Sequence, residues 1–174
     1  MNNSTVQMKP QDILLLLKVI CLKNAEWTQL PISEALGMSQ SEVSEAVKRC
    51  KYTGLLDVDG KKVMRLALME FLEYGIRYVY PQKPGPIVRG VPTAHSALPL
   101  NSTIVSTEDY VWPYAKGTVR GQSILPLYSS VPSAALRDPA LYELLAMVDA
   151  LRVGRSRERS LALAELKKRV LDGK

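Results

Sequence analysis

The 174-residue sequence predicts a mainly α-helical protein with one small β-hairpin and an irregular, proline-rich middle segment. Apolar residues recur at helical spacing before residue 80 and again after residue 134. Between two apolar stretches, Asp59-Gly60 is typical of a two-residue hairpin turn. Eight of the eleven prolines lie in residues 81–133, where no helical period survives. We therefore divide the chain into residues 1–80, an ordered irregular segment 81–133, and a C-terminal helical pair 134–174 for packing or dimerisation.

The composition excludes two broad classes of protein. Apolar residues make up 47% of the chain, which argues against global disorder. No apolar run exceeds five residues, the length of Ile13 to Leu17, which is far shorter than the roughly 20 residues that a membrane span requires. No basic region followed by an apolar stretch marks the N-terminus, so we expect a cytoplasmic protein with reduced thiols at Cys21 and Cys50. The net charge of +6 is compatible with nucleic acid binding, although residues 1–60 carry no basic excess.

The first predicted helix runs from Pro10 to Leu22. Pro10 suits a first helical turn, and Leu14, Leu17 and Ile20 line one side. Further leucine and valine residues make this helix apolar nearly all round. Such a helix needs cover on two sides, from its own domain and, as one alternative, from a second subunit.

Two short helices joined by a glycine turn are predicted next. The first, in the sequence TQLPISEAL, is capped by Thr28, tolerates Pro31 in its first turn and ends at Gly37. Glycine adopts the left-handed conformation that a helix terminus often requires. Ser39 then opens the second helix, and Glu42 three residues later completes a capping box.

The hairpin and a longer helix complete the N-terminal part. Residues 55–58 are predicted as a strand, Asp59-Gly60 as the turn, and Lys61 to Leu66 as the return strand. Helical spacing resumes at once and continues through Ile76.

The middle segment contains aromatic residues and a short repeat. The aromatic residues need burial and are expected in the core, with a few short strands wrapped over the helices: Tyr110, Trp112, Tyr114 and Tyr128. The sequence Val-Arg-Gly occurs twice, at residues 88–90 and 119–121. Arg89 and Arg120, each followed by glycine, form an anion pocket for an effector in one interpretation. In the other, each arginine ties down its loop through backbone carbonyls.

The C-terminal part is predicted as two helices. Asp138 caps the first, Pro139 occupies its first position, and Gly154 ends it. The second covers the sequence SRERSLALAELKKRVL, and the cations near its end suit the negative end of the helix dipole.

The order of these elements resembles a winged helix-turn-helix DNA-binding domain of the MarR-like kind, over residues 10–78. The residues that carry the resemblance are PISEALGMSQSEVSEAVKRCKYTGLL, with its glycine turn and apolar spacing, and DVDGKKVMRL. The resemblance implies a transcriptional regulator that binds double-stranded DNA as a homodimer, with the Ser39 helix in the major groove.

The resemblance also implies a set of DNA-binding residues. Ser39, Gln40, Ser41 and Ser44 would lie near base edges or phosphates, and Glu45 would either accept a hydrogen bond from cytosine or repel phosphate. The cations would contact phosphates from the helix and from the hairpin, or wing: Lys48, Arg49, Lys51, Lys61, Lys62 and Arg65.

Two other classes of function compete with this one. A winged helix that has lost DNA binding can dock a protein partner, as an antitoxin-like or adaptor module. An enzyme is disfavoured, because the single histidine, His95, has only Ser96 beside it and no acidic residue nearby in sequence. We expect no metal site and no cofactor, since one histidine and two separated cysteines do not form a ligand set and no phosphate-binding loop is present.

Overall fold

The computed structural model describes residues 5–173 and is mainly helical, with 53% of these residues in helices. Residues 1–4 and residue 174 lie outside the described residues. Residues 1–4 belong to the predicted N-terminal domain and to the N-terminal region in which no secretory signal is expected. None of the helices within 5–173 combines the length and apolar character needed to cross a membrane. The α-helices of this range are α1 (Pro10–Cys21), α2 (Gln29–Leu36), α3 (Gln40–Tyr52), α4 (Arg65–Tyr74), α5 (Ile76–Val79), α6 (Val131–Leu136), α7 (Pro139–Val153) and α8 (Ser156–Leu171).

The middle segment forms a small three-stranded sheet. Its strands are β1 (Ile87–Pro92), β2 (Tyr110–Pro113) and β3 (Val119–Ser123). β1 pairs antiparallel with both other strands, β2 and β3 pair parallel, and the three close on one another. Gly90 lies where β1 meets both partners, and a Cβ atom there would clash with the carbonyl oxygen of Trp112. The close approach of the two backbones therefore requires glycine.

The predicted hairpin at residues 55–66 was wrong in its extent. Leu56 and Val63 form a single antiparallel bridge, and α4 already begins at Arg65. The Asp57 carboxylate accepts hydrogen bonds from the backbone N–H groups of Lys61 at 2.7 Å and Lys62 at 3.0 Å. These bonds connect the two ends of the turn. Two backbone hydrogen bonds cross the segment, from the Asp57 N–H to the carbonyl oxygen of Lys62 and from the Met64 N–H to that of Leu55, both at 2.9 Å. The segment is therefore a tight turn with a very short ladder rather than a two-stranded ribbon.

The α1 helix is covered entirely by its own chain. Ile13 to Leu17 are each 0% exposed, and α1 packs against α2, α3 and α7. The second side of this helix, for which a second subunit was one alternative, contacts α7 of the same chain. The surface offered by α1 is therefore not available for dimerisation.

The helix ends largely follow the predicted capping. Gly37 has φ 64° and ψ 34°, and the Ser39–Glu42 capping box is present. Asp138 accepts the N–H of Leu141 at 3.1 Å at the start of α7, and Gly154 ends that helix. Thr28 occupies the N-cap position of α2, but its side chain makes no cap hydrogen bond.

One hydrophobic cluster joins all three predicted segments. It includes side chains of α1 and α3, Trp112 of β2 and most of α7. Tyr110, Tyr114 and Tyr128 are partly buried against it, as expected of core aromatics.

A buried polar network anchors the sheet on α7. The Asp149 carboxylate accepts hydrogen bonds from Trp112 Nε1 at 2.6 Å and Thr93 Oγ1 at 2.8 Å. Arg152 pairs with the same carboxylate at 2.8 Å and donates to the carbonyl oxygen of Tyr80. A proline-rich segment without a helical period is in this way held on the helical core.

Candidate nucleic-acid interface

The α3 helix presents one polar face to solvent and buries the other. Val43, Ala46, Val47 and Cys50 are buried against α1 and α2. On the opposite side, most of the predicted DNA-binding residues of the helix are exposed, and Ser44 is half-buried: Ser39, Gln40, Ser41, Glu45, Lys48 and Lys51. The apolar spacing in the sequence therefore places these six side chains together on one surface, which we call the α3 face.

The N-terminal end of α3 is fixed on two sides. Ser39 Oγ accepts the N–H of Glu42 at 3.1 Å, and Glu42 Oε2 accepts the N–H of Ser39 at 3.3 Å. The Tyr128 hydroxyl donates to the same carboxylate at 2.7 Å. This hydrogen bond is the main cause that lowers the pKa of Glu42, so the carboxylate stays charged at neutral pH.

Ser130 of the middle segment and Arg137, just after α6, contact the C-terminal end of α2. Ser130 Oγ donates to the carbonyl oxygen of Leu36, and Arg137 Nη2 donates to that of Ala35 at 3.3 Å. These bonds satisfy carbonyl groups at the C-terminal end of α2. The contacts lie beside the α3 face and leave its polar residues exposed.

Arg49 lies away from the α3 face. Its Nη2 donates to Asp12 Oδ1 at 2.7 Å and its Nε to Oδ2 at 2.9 Å, while the Asp12 carboxylate is 0% exposed. The hydrogen bond with Asp12 is the main cause that raises the pKa of Arg49. The guanidinium group joins α3 to α1, so the structure does not bring Arg49 together with the exposed lysines.

The predicted wing cations are dispersed. Lys61 Nζ donates to the carbonyl oxygen of Trp27 at 2.9 Å and lies 4.7 Å from the centre of its indole ring. Arg65 Nη1 donates to the carbonyl oxygen of Val170 at 2.6 Å, at the C-terminal end of α8. Lys62 is exposed, and its ammonium group has no hydrogen-bond partner among residues 5–173. Of the three, Lys62 is the one that extends freely into solvent beside the turn.

The charge of this surface is close to balanced. Lys48 forms an ion pair with Glu45 at 2.8 Å, and its hydrogen bond lowers the pKa of that carboxyl. Asp57 is charged as well, because the N–H groups of Lys62 and Lys61 lower its pKa. The α3 face and the turn therefore offer cations interleaved with carboxylates, rather than a continuous cationic patch.

The structure brings Arg89 and Arg120 together. The two are direct cross-strand partners in the antiparallel β1–β3 pair, and both are exposed. Neither side chain has a hydrogen bond or ion pair within the described part of the chain. The interpretation in which each arginine ties down its own loop is thus not what the structure shows.

The remaining candidate residues are buried or isolated. His95 is 5% exposed, its Nε2 lies 2.9 Å from the carbonyl oxygen of Glu108, and its ring packs edge-on against Tyr110. Cys21 and Cys50 are both free thiols, and burial is the main cause that raises the pKa of each to about 12. No group of three or more histidine, cysteine or acidic side chains within residues 5–173 could hold a metal ion.

Sequence reasoning missed two polar contacts at this site and a third that anchors the sheet on α7. They are the Asp12–Arg49 pair, the Tyr128–Glu42 hydrogen bond and the buried Asp149–Arg152 pair. Asp12 carried a signal, since it is an acidic residue beside a run of five apolar residues in a helix. Asp149 carried a similar signal, since it follows five apolar residues in a helix and lies three residues before Arg152. Tyr128 carried none that local spacing could reveal.

Comparison with known proteins adds no relative. No protein-family model, no curated protein and no solved structure matches this chain.

Proposed function

We propose that this protein is a transcriptional regulator that binds double-stranded DNA sequence-specifically, as a dimer in the cytoplasm, through a winged helix-turn-helix. The proposal rests on the observation that the polar residues of the α3 face are exposed together on one side of the helix. A capped helix, packed on α1 and α2, exposes a polar side that contains an amide, hydroxyls and lysines. A helix of this kind can enter the major groove with its N-terminal half against base edges.

Each exposed residue has a role that follows from its chemistry. Gln40, in the first turn, can form a bidentate pair with adenine, and Ser41 can donate to a base or a phosphate. Lys48 and Lys51, nearer the C-terminal end, and Lys62 on the turn would contact backbone phosphates. Arg49 and Arg65 are left out of this set, because their guanidinium groups are engaged within the protein.

A second candidate function is favoured by the charge balance of the same surface. The Glu45–Lys48 pair and the carboxylates of the turn reduce the attraction to phosphate that a DNA-binding helix usually has. An α3 face of this kind also fits a polar protein surface. In that case the chain is an interaction module that does not bind DNA.

The dimer, for its part, needs a surface other than α1. Apolar side chains are exposed along α4 and α5, with Leu66 at 77%, Tyr74 at 69% and Tyr78 at 73%. Leu66 and Tyr74 belong to α4 and Tyr78 to α5, so a dimer surface built from them would extend over both helices. Light scattering should give twice the monomer mass at micromolar concentration. The double variant Tyr74→Ser/Tyr78→Ser should have a lower mass, closer to that of the monomer. A monomeric parent protein would contradict the dimer.

Selection from a random duplex library tests DNA binding directly. The protein should enrich one sequence, and Gln40→Ala should bind that sequence about tenfold more weakly while its affinity for a scrambled duplex stays the same. Gln82→Ala is the matched control, because this glutamine lies outside α3 and donates to the carbonyl oxygen of Lys83. If no sequence is enriched, and a protein partner competes for the α3 face, the interaction module is the better description.

A further inference from the structure

The two Val-Arg-Gly sequences face each other in the sheet with approximate two-fold symmetry. Val88 pairs with Gly121, Arg89 with Arg120, and Gly90 with Val119. Each copy is therefore the antiparallel partner of the other, and the local two-fold axis passes between the two arginines. The short repeat in the sequence becomes one symmetric feature of the surface.

This arrangement is unfavourable without a partner. Directly opposed residues in an antiparallel pair have Cβ atoms about 4.5–5.5 Å apart, and like charges at such positions are destabilising. Both side chains are exposed on the same face of the pair, and no carboxylate within residues 5–173 lies within ion-pair distance of either. The acidic residues of the middle segment are Glu108 and Asp109, and neither forms an ion pair with the two arginines. Glu108 contacts His95 through its backbone carbonyl oxygen and not through its carboxylate.

The backbone beneath the arginines is held firmly. The carbonyl oxygen of Arg89 accepts the N–H of Tyr114 at 3.1 Å, and Gly90 is locked by its contact with β2. Gly121 lies against the backbone of Asp109 in the same way. The backbone positions of the two arginines are consequently held opposite each other, and no hydrogen bond within residues 5–173 occupies the N–H donors of their side chains.

We propose that Arg89 and Arg120 together bind a phosphate group. A planar carboxylate offers one edge on which a guanidinium fork forms two parallel hydrogen bonds, whereas a tetrahedral phosphate offers a separate edge to each of two forks. The symmetric pair therefore selects phosphate over carboxylate. The phosphate belongs either to a small phosphorylated molecule or to the DNA backbone, and the second source rests on the proposed function.

Calorimetry and NMR titration with inorganic phosphate, pyrophosphate and acetate test the site. The parent protein should bind phosphate and pyrophosphate, and acetate at least tenfold more weakly. Arg89→Gln and Arg120→Gln should each weaken phosphate binding at least tenfold. Arg120→Glu should also abolish it while the protein stays folded, since glutamate would form a cross-strand ion pair with Arg89.

A charge control separates a site from general attraction. Arg157→Gln with Lys168→Gln removes two exposed cations from α8, as Arg89→Gln with Arg120→Gln does from the sheet. If the control variant binds phosphate as tightly as the parent protein, the result supports a specific site at Arg89 and Arg120. Equal losses in both double variants, or a parent protein that binds neither phosphate nor pyrophosphate, would overturn it.

Binding to the duplex that is enriched from the random library distinguishes a DNA backbone phosphate from a small phosphorylated molecule. If the two arginines bind a backbone phosphate, the Arg89→Gln/Arg120→Gln variant should show a log–log salt slope for duplex binding that is shallower by about 0.9. Its preference for the enriched sequence should be unchanged. For a small molecule, duplex binding is unchanged while phosphate binding is lost. A parent protein that binds phosphate and no duplex supports this site and overturns the proposed function alone, so the two failures are distinguishable.

Discussion

Arg49 of α3 and Asp12 of α1 form a bidentate ion pair across the base of the helix that carries the α3 face. Arg49 Nε lies 3.1 and 2.9 Å from the two carboxylate oxygens, and Nη2 lies 2.7 Å from Oδ1. Asp12 also accepts the N–H of Lys9 at 2.9 Å, at the start of α1. The pair therefore fixes the orientation of α3 relative to the core, and with it the direction in which the polar face points.

Removal of the Asp12 carboxylate should be strongly destabilising. Asp12→Ala leaves the Arg49 guanidinium, whose side chain is 13% exposed, without its partner, and the loss should be about 3–5 kcal/mol. Urea unfolding measures it, with the exposed Asp59→Ala as a control that should change the free energy of unfolding by less than about 0.5 kcal/mol. A loss under about 1 kcal/mol for Asp12→Ala would contradict the inward placement of Arg49.

Gly37 allows the tight turn between α2 and α3. Its φ of 64° strains any other residue by about 1–2 kcal/mol, and a Cβ atom would meet the Cβ of Ser130 at 3.2 Å. Gly37→Ala should therefore destabilise the protein more than Gly54→Ala, where φ is 79° and nothing lies within 4 Å. Thermal unfolding of the two variants gives the comparison, and equal effects would mean that Ser130 does not press on the turn.

The hydrogen bond from Tyr128 should make the stability of the turn depend on pH. Because it lowers the pKa of Glu42 in the folded protein, its stabilisation is present above the ordinary glutamate pKa and is lost as the pH falls through the lowered value. Tyr128→Phe should raise the pKa of Glu42 towards the ordinary value and reduce stability at neutral pH more than at acidic pH. NMR titration of the carboxyl carbon checks the shift, with the exposed Tyr78→Phe as control; an unchanged pKa would refute this contact.

The buried Asp149 carboxylate should hold the sheet on α7. Asp149→Asn keeps the shape of the side chain but leaves Arg152, which is 9% exposed, without a counter-charge, so the loss should be about 3–5 kcal/mol. Chemical denaturation followed by circular dichroism measures this loss in the free energy of unfolding. The exposed Asp172→Asn should be nearly neutral, and an equally small effect at Asp149 would show that the network is not the anchor.

Local features were predictable from sequence, whereas the contacts that position the site were not. The Ser39–Glu42 box and the Asp138–Pro139 helix start each lie within four residues of the chain, and their physics is local. The Tyr128–Glu42 hydrogen bond spans 86 positions, and only the folded chain brings it together. The repeat at Arg89 and Arg120 was visible in sequence, but its pairing depended on a strand register that sequence does not specify.

Two errors at the candidate site have identifiable reasons. Arg49 was grouped with Lys48, although it lies three residues after buried Ala46 and so on the flank of the buried side. The Asp59-Gly60 turn favoured two strands, but the Asp57 side chain satisfied the backbone donors that the return strand would have used. Arg65, assigned to that strand, starts α4 and contacts the end of α8 instead.

The central claim is that the α3 face and the neighbouring turn contact DNA phosphates. Fluorescence anisotropy of a selected duplex over a range of salt concentrations tests it most directly, in the parent protein and in the Lys48→Gln/Lys51→Gln/Lys62→Gln variant. If each lysine contacts one phosphate, the log–log salt slope should become shallower by about 0.9 per lysine, or about 2.7 in all, while Arg157→Gln/Lys168→Gln leaves it unchanged. A triple variant with the affinity and slope of the parent protein would contradict the account.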